Sequence, residues 1–142
     1  MNNLTLIIPA KNEAESLPKV IKEVKKYNYS INVILHQTDI NTIKSIENLN
    51  VTIKYQENFG YGDALIYGIK NCETKYFCIF NADGSFKPSE VEEMVKKLEK
   101  EELDFVFGSR YQKNSGSEDD TIVTLIGNYV FTLIGKIFFK LN

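Results

Sequence analysis

The sequence is poor in the residues that build covalent or metal-bound frameworks. Its 142 residues include two cysteines, one histidine and no tryptophan. Cys72 and Cys78 are too few for a disulfide framework, and their spacing matches no zinc-binding pattern. The fold must therefore rest on a hydrophobic core, and a chain of this length can bury about two thirds of its unfolded surface in one domain.

The sequence also lacks an excess of charge of one sign. The formal net charge is −2, with lysine and arginine scattered among aspartate and glutamate. No basic stripe alternates with aromatic residues, so nucleic acid is not expected as a partner. The amino terminus has no basic segment followed by a long apolar one, which indicates a cytoplasmic protein or one at the cytosolic face of a membrane.

Short apolar segments alternate with amphipathic ones along most of the chain. Pro18 and Pro88 fit the first turns of the first and fourth helices, and Thr38 or Asp39 fits the cap of the second. The pattern predicts strands over residues 4–8, 31–35, 51–55, 76–80 and 104–107, with helices between them. This alternation predicts an α/β fold with three α/β/α layers, a mostly parallel sheet and right-handed crossovers.

The segment 76–80 is a run of apolar, β-favouring residues that stops at two polar side chains, Asn81 and Asp83. A continuous apolar run predicts a central parallel strand. Side chains alternate along an extended chain, so Asn81 and Asp83 project to one side beyond its carboxyl end, where open α/β sheets bind ligands. A lone carboxylate there suits a hard divalent cation that shares the oxygens of a diphosphate. The alternative is an Asx turn that only satisfies nearby backbone amides.

Two other predicted loops offer groups for a ligand. After Pro9 the chain leaves the sheet and exposes backbone groups that can bind a nucleoside, with Glu13 able to accept ribose hydroxyls. Asn12 and Glu13 also fit helix capping. Gly60 and Gly62 let the backbone approach a ligand closely, and the helix that follows favours anionic groups at its amino terminus.

The end of the chain has a different composition. Residues 112–120 are rich in serine, glycine, asparagine and acid, and are predicted to form a mobile loop. Residues 121–141 are nearly all apolar, and a helix there would carry one narrow polar stripe of Thr124, Asn128, Thr132, Lys136 and Lys140. The length approaches that of a membrane span, but the stripe with two lysines favours a helix that lies in the membrane interface. The alternative is a helix that packs on a partner subunit, as in a homo-oligomer, or on other parts of the protein.

Four motifs in this order resemble those of family-2 glycosyltransferases with the GT-A fold. They are residues 7–13 (IIPAKNE), 58–64 (NFGYGDA), 81–83 (NAD) and 108–111 (GSRY). The sequence is most similar to polyprenyl-phosphate sugar synthases, the group that includes dolichyl-phosphate mannose synthase. The resemblance implies a Rossmann-like nucleotide-binding core over residues 1–111, the loop 112–120 and an amphipathic helix over 121–142.

The resemblance also implies a set of roles. The nucleotide would be held by Pro9, Ala10, Asn12, Glu13, Gly60, Gly62 and Asn81. Asp83 would bind Mg²⁺ or Mn²⁺ at the diphosphate, and Arg110 and Tyr111 would face the acceptor. The reaction implied is transfer of a sugar from a nucleoside diphosphate with inversion at the anomeric carbon. A lipid-phosphate acceptor needs little help from a general base, whereas a glycan hydroxyl needs a carboxylate, for which Glu118, Asp119 and Asp120 are candidates by location.

The sequence departs from the family pattern after the second strand, where the family carries paired aspartates that bind the base. Residues 35–39 read LHQTD instead. His36 either contacts a base or simply ends the strand, and Asp39 is the acid that could substitute. Asn81 also replaces the first acid of the family's D-x-D motif. These departures support a second hypothesis, a catalytically inactive nucleotide-binding or scaffold domain.

Two further classes fit the sequence less well. A nucleotidylyltransferase of similar fold would carry a G-x-G-x-R-type loop after the first strand, and none is present. A phosphoacceptor receiver domain would need an acidic pair there and a lysine after the fifth strand, where Gly108 and Ser109 stand.

Overall fold

The computed structural model describes residues 3–109 and 122–139. The strands are β1 (Leu4–Pro9), β2 (Ser30–Leu35), β3 (Thr52–Tyr55) and β4 (Tyr76–Ile79). The helices are α1 (Leu17–Val24), α2 (Ile40–Ile46), α3 (Tyr61–Lys70), α4 (Pro88–Lys100) and α5 (Ile122–Phe139), with a 3₁₀ turn at Lys25–Tyr27. The chain divides into two compact units, Met1–Asp104 and Phe105–Asn142.

The first unit is built on a four-stranded sheet in the order β3-β2-β1-β4, in which every neighbouring pair is parallel. Parallel neighbours require helical crossovers, so the carboxyl ends of all four strands lie at one edge of the sheet. The predicted parallel α/β architecture is confirmed, and this edge collects the loops after each strand.

The core lies on both faces of the sheet. Every residue of β1 is buried. Leu6 and Ile8 belong to one apolar cluster that includes residues of α1, α2 and α4, whereas Ile7 packs in a second cluster with Ala64 of α3. Because alternate residues of a strand point to opposite faces, these two clusters place helices on both sides and give the three predicted layers.

Local sequence signals fix where several helices begin. Pro18 and Pro88 both lie in the first turn of their helices, α1 and α4, as predicted. Asp39 is the cap of α2, and its side chain accepts a hydrogen bond from the Thr42 N–H. Val91 and Val95 form the buried stripe of α4.

Two predictions about strands are wrong. Within the described residues β4 pairs only with β1 and is therefore an edge strand, and Phe77 is 45% exposed. The structure assigns no strand to residues 104–107, where Phe105 and Phe107 are exposed and lie against each other with ring centroids 5.2 Å apart. An apolar run predicts an extended chain, but strand pairing depends on neighbours that a local pattern does not contain.

Helix α5 has 18 residues, and its apolar side chains are exposed wherever the structure describes them. Within the predicted polar stripe, the Thr132 hydroxyl donates to the Asn128 carbonyl at 2.8 Å, and Lys136 is also exposed. Lys140 lies outside the described residues. No helix in the described parts of the chain combines the length and apolar character needed to cross a membrane.

Candidate functional site

A cleft of about 590 Å³ opens at the carboxyl edge of the sheet. Its volume is within the range of sites that hold small molecules and cofactors. The loops after all four strands contribute to its lining. Among the predicted nucleotide and metal residues, the cleft brings together Pro9, Ala10, Asn12, Glu13, Gly60, Asn81 and Asp83.

The loop between β1 and α1 forms one wall of the cleft. Pro9 and Ala10 are buried, and Asn12 adopts φ 59°, a left-handed conformation that asparagine tolerates better than most residues. Its N–H donates to Asp39 Oδ2 at 2.7 Å, and the Glu13 N–H donates to Thr42 Oγ1 at 3.0 Å. The first turn of α2 thus holds this loop in place. The Glu13 carboxylate also accepts the Ser16 hydroxyl.

Asp39 uses both carboxylate oxygens in this arrangement. Oδ2 accepts from Asn12, and Oδ1 accepts from the Thr42 N–H at 3.3 Å. Desolvation alone would raise the pKa of Asp39, but the hydrogen bonds from Asn12 and Thr42 outweigh it and hold the pKa below its ordinary value. Asp39 lines the cleft, yet its contacts are those of a residue that positions the β1–α1 loop.

The loop between β3 and α3 forms a second wall. Gly60 has φ 124°, a conformation that side chains other than glycine's rarely adopt. The buried Gln56 amide donates to the carbonyls of Asn58 at 2.6 Å and Gly60 at 3.1 Å. The Asp63 carboxylate accepts from the Asn58 N–H at 3.2 Å. The structure places Gly62 in the first turn of α3 and not in the lining of the cleft.

The residues after β4 close the far end of the cleft. Asp83 is exposed, and its Oδ1 accepts the Ser85 N–H at 2.9 Å, while the Asn81 amide donates to the Ser85 hydroxyl at 3.1 Å. Gly84 allows this turn by adopting φ 86°. The hydrogen bonds from the hydroxyl and the amide of Ser85 lower the pKa of Asp83. The Asx turn considered from the sequence is therefore present, and it leaves an ionised carboxylate at the cleft.

Several lining residues were not predicted from the sequence. They include Lys11, Gln56, Phe59 and Tyr61. Lys11, Phe59 and Tyr61 lie inside the motifs at 7–13 and 58–64, so the available signal was their position in those loops. His36 also lines the cleft, and its ring stacks on Phe59 with centroids 4.0 Å apart and planes inclined by 28°.

The charge of the lining is mostly negative. Glu13, Asp39 and Asp83 contribute carboxylates, and Lys11 is the one lysine or arginine among these described residues. An anionic diphosphate would meet net repulsion unless a cation accompanied it. The described residues contain no group of three or more histidine, cysteine, aspartate or glutamate side chains placed to hold a metal ion. A cation at Asp83 would therefore need further oxygen ligands from the substrate and water.

Several predicted site residues belong to the part of the chain that the structure does not describe. Arg110 and Tyr111, predicted to face the acceptor, lie outside the described residues. The same holds for the candidate bases Glu118, Asp119 and Asp120.

Comparison with known proteins gives a consistent picture. A family model described as Glycosyl transferase family 2 matches residues 5–141. The chain is 24% identical over 151 residues to a UDP-N-acetylglucosamine–dolichyl-phosphate N-acetylglucosaminyltransferase from Methanococcus voltae, covering 91% of this chain and 60% of that protein. It is 29% identical over 147 residues to a dodecaprenyl-phosphate galacturonate synthase from Rhizobium johnstonii, covering 94% and 43%. The chain thus spans less than two thirds of the length of these relatives.

The fold is similar to that of a solved structure of CMP:2-keto-3-deoxy-manno-octonic acid synthetase complexed with CTP. The TM-score is 0.59 at 12% sequence identity, covering 71% of this chain and 49% of the other. At this identity the likeness concerns the fold alone, and it agrees with the predicted Rossmann-like α/β architecture.

Proposed function

The chain belongs to glycosyl transferase family 2, and from this premise we propose that it transfers a sugar from a nucleoside-diphosphate donor to a polyprenyl phosphate, with inversion at the anomeric carbon. The observation that carries the proposal is the convergence of three loops, after β1, β3 and β4, on one cleft that ends at Asp83. The acceptor class is supported by the names of the two relatives, which act on dolichyl phosphate and dodecaprenyl phosphate.

The donor would lie along the cleft with its nucleoside against the β1–α1 loop. Pro9 and Ala10 offer buried, fixed backbone there, and the half-buried Glu13 carboxylate can accept hydroxyl protons from a ribose. Gly60, in the wall that follows β3, presents no side chain to block the approach of the nucleoside. These walls of the cleft suit a nucleoside whose phosphates extend toward Asp83.

Asp83 and Asn81 fit a hard divalent cation. The hydrogen bonds from Ser85 lower the pKa of Asp83 and so keep its carboxylate ionised. The Asn81 amide nitrogen donates to the Ser85 hydroxyl, which leaves the amide oxygen as a second hard ligand. Mg²⁺ commonly binds through one or two protein oxygens, phosphate oxygens and water. When bound, such an ion neutralises the negative charge that develops on the departing diphosphate.

The remaining groups concern the acceptor and the surface at which it would be bound. A lipid phosphate is already ionised at neutral pH, so its oxygen can attack the anomeric carbon without a base on the protein. From the family resemblance we expect Arg110 and Tyr111 to act on the acceptor, because arginine can pair with a phosphate through two hydrogen bonds. The exposed apolar surface of α5, with Lys136 on its polar stripe, suits a helix that lies in a membrane interface, where a polyprenyl phosphate would be met.

Calorimetric titration tests the donor site. UDP and GDP are titrated into the protein with Mn²⁺, with Mg²⁺ and with EDTA, and we expect binding that depends on the divalent ion. Absence of nucleoside-diphosphate binding in the presence of either ion would contradict the proposal. Purified protein is then given UDP- and GDP-sugars with and without polyprenyl phosphate. Binding without transfer or donor hydrolysis would favour the inactive scaffold instead.

A further inference from the structure

We propose that His36 and Phe59 form a stacking platform for the nucleobase of the donor, at the end of the cleft away from Asp83. The inference rests on the proposed function, because it takes the diphosphate to lie at Asp83. It assigns base recognition in this chain to two aromatic side chains that line the cleft and lie against each other.

The strand order fixes which end of the cleft would receive the base. Asp83 follows β4, which is at one edge of the described sheet, whereas His36 follows β2 and Phe59 follows β3 at the other side. Neighbouring strands are about 4.8 Å apart, so β4 and β3 are separated by roughly 14 Å. In a nucleoside diphosphate the base and the terminal phosphate are at opposite ends. With the phosphates at Asp83, the base extends toward β2 and β3.

The two rings there already form an ordered aromatic surface. Their centroids are 4.0 Å apart with planes inclined by 28°, and both residues line the cleft. Phe59 is 71% exposed, so most of its apolar surface is in contact with water, which is unfavourable. A planar base laid on this surface would remove apolar area from water and would extend the existing stack.

The plane of the His36 ring is held by the turn that follows β2. The Thr38 N–H donates to His36 Nδ1 at 3.3 Å, and the Thr38 hydroxyl lies 2.8 Å from the same nitrogen. Because Nδ1 accepts the backbone hydrogen, the neutral ring carries its proton on Nε2, where it can be donated to a base. A ring fixed in this way can receive a base without first losing its own freedom of rotation.

A fluorescent variant gives the most direct test. The chain contains no tryptophan, so Phe59→Trp introduces a single reporter at the proposed platform. We expect UDP and GDP, each with Mg²⁺, to quench its emission through stacking, and inorganic pyrophosphate with Mg²⁺ to leave the emission unchanged. Equal responses to pyrophosphate and to the nucleotides, or no response to nucleotides that calorimetry shows to bind, would overturn the inference.

Truncation of each ring gives an independent measurement. Stacking on an aromatic side chain contributes about 1–3 kcal/mol per base, so Phe59→Ala and His36→Ala should each weaken UDP and GDP binding by roughly 5- to 150-fold. Pyrophosphate binding should be unchanged. The matched control is Phe77→Ala, which removes a ring that is 45% exposed but does not line the cleft, and it should leave both affinities unchanged.

The results separate the two proposals. If the unmodified protein binds neither nucleotide, the proposed function fails and the platform fails with it. If it binds both and the two truncations change nothing, only the platform is refuted. Far-UV circular dichroism of each variant identifies any loss of nucleotide binding that is caused by unfolding. If an alanine variant is unfolded, the Phe59→Trp variant, which keeps an aromatic ring, decides whether the base stacks on the platform.

Discussion

At the scale of single residues, Asp83 combines a structural and a chemical role. Its Oδ1 holds the turn at Ser85, while the ionised carboxylate faces the cleft. Asp83→Asn keeps an oxygen that can accept the Ser85 N–H and removes the charge. We therefore expect a change in stability within about 0.5 kcal/mol, and a loss of sugar-transfer rate on the order of a hundredfold or more, as for other preorganised electrostatic groups.

The Asp83→Asn prediction is checked by urea denaturation and by transfer assays across a range of Mn²⁺ concentrations. Asp104→Asn is the control, because it removes an exposed carboxylate that does not line the cleft. A variant with unchanged metal dependence would show that Asp83 has only the role of an Asx-turn residue.

Asp39 gives a prediction about pH. Its pKa is lowered in the folded protein from an ordinary value of 3.8, so the ionised form stabilises the fold above that value and this stabilisation is lost as the pH falls through the folded pKa. Asp39→Ala removes a helix cap and the hydrogen bond to Asn12, which should cost about 1 kcal/mol or more at pH 7. Urea denaturation at pH 7 and pH 3 should show the gap between the two proteins closing at the lower pH. A gap that is independent of pH would contradict this account.

At the scale of elements, the packing of α3 depends on Gly68. A Cβ atom at this position would lie 2.5 Å from Ile7 Cγ2 and 3.1 Å from Ile34 Cγ1. Gly68→Ala should push α3 away from β1 and β2 and destabilise the fold by about 1–3 kcal/mol, as overpacking generally does.

The same helix supplies the control for this prediction. A Cβ at Gly62 would meet nothing within 4 Å, so Gly62→Ala should be neutral or stabilising by up to about 1 kcal/mol through helix propensity. Thermal unfolding followed by circular dichroism distinguishes the two variants. Equal behaviour of both would show that α3 can move to accept the extra carbon.

The elements were largely predictable because their signals are local. Apolar runs and helical spacing located β1 to β4 and α1 to α4, and Pro18 and Pro88 marked where two helices begin. Strand pairing is not local, so the edge position of β4 and the lack of a strand at residues 104–107 could not be read from the pattern.

The same distinction between local and non-local signals applies to the candidate site. Asp83 and Gly60 could be predicted because the end of an apolar strand and a glycine-containing turn are both visible in the local sequence. The bond from Asn12 to Asp39 joins residues 27 positions apart, and the stack of His36 on Phe59 requires β2 and β3 to be neighbours. Such contacts follow from the order of the strands in the sheet, which the sequence does not state.

At the scale of the whole molecule, the exposed apolar side chains of α5 predict binding to lipid. The full chain should sediment with vesicles that contain anionic lipid. Lys136→Ala should weaken this binding by roughly fivefold, since one lysine near such a surface contributes about 1 kcal/mol. Lys96→Ala on the exposed side of α4 is the control. If the protein does not sediment with the vesicles and elutes from size-exclusion chromatography as a dimer or larger, the alternative that α5 contacts another subunit is supported instead.

Because all four strands run in the same direction, the turns that precede β2 and β3 lie on the rim opposite the cleft. Asn28 and Asn50, both with positive φ, mark these two turns, and neither lines the cleft. A dye, an affinity handle or a surface linker attached at either turn should therefore leave the ligand side of the domain open. Immobilised in this way, the protein would present its cleft to solution, as single-molecule and biosensor experiments require.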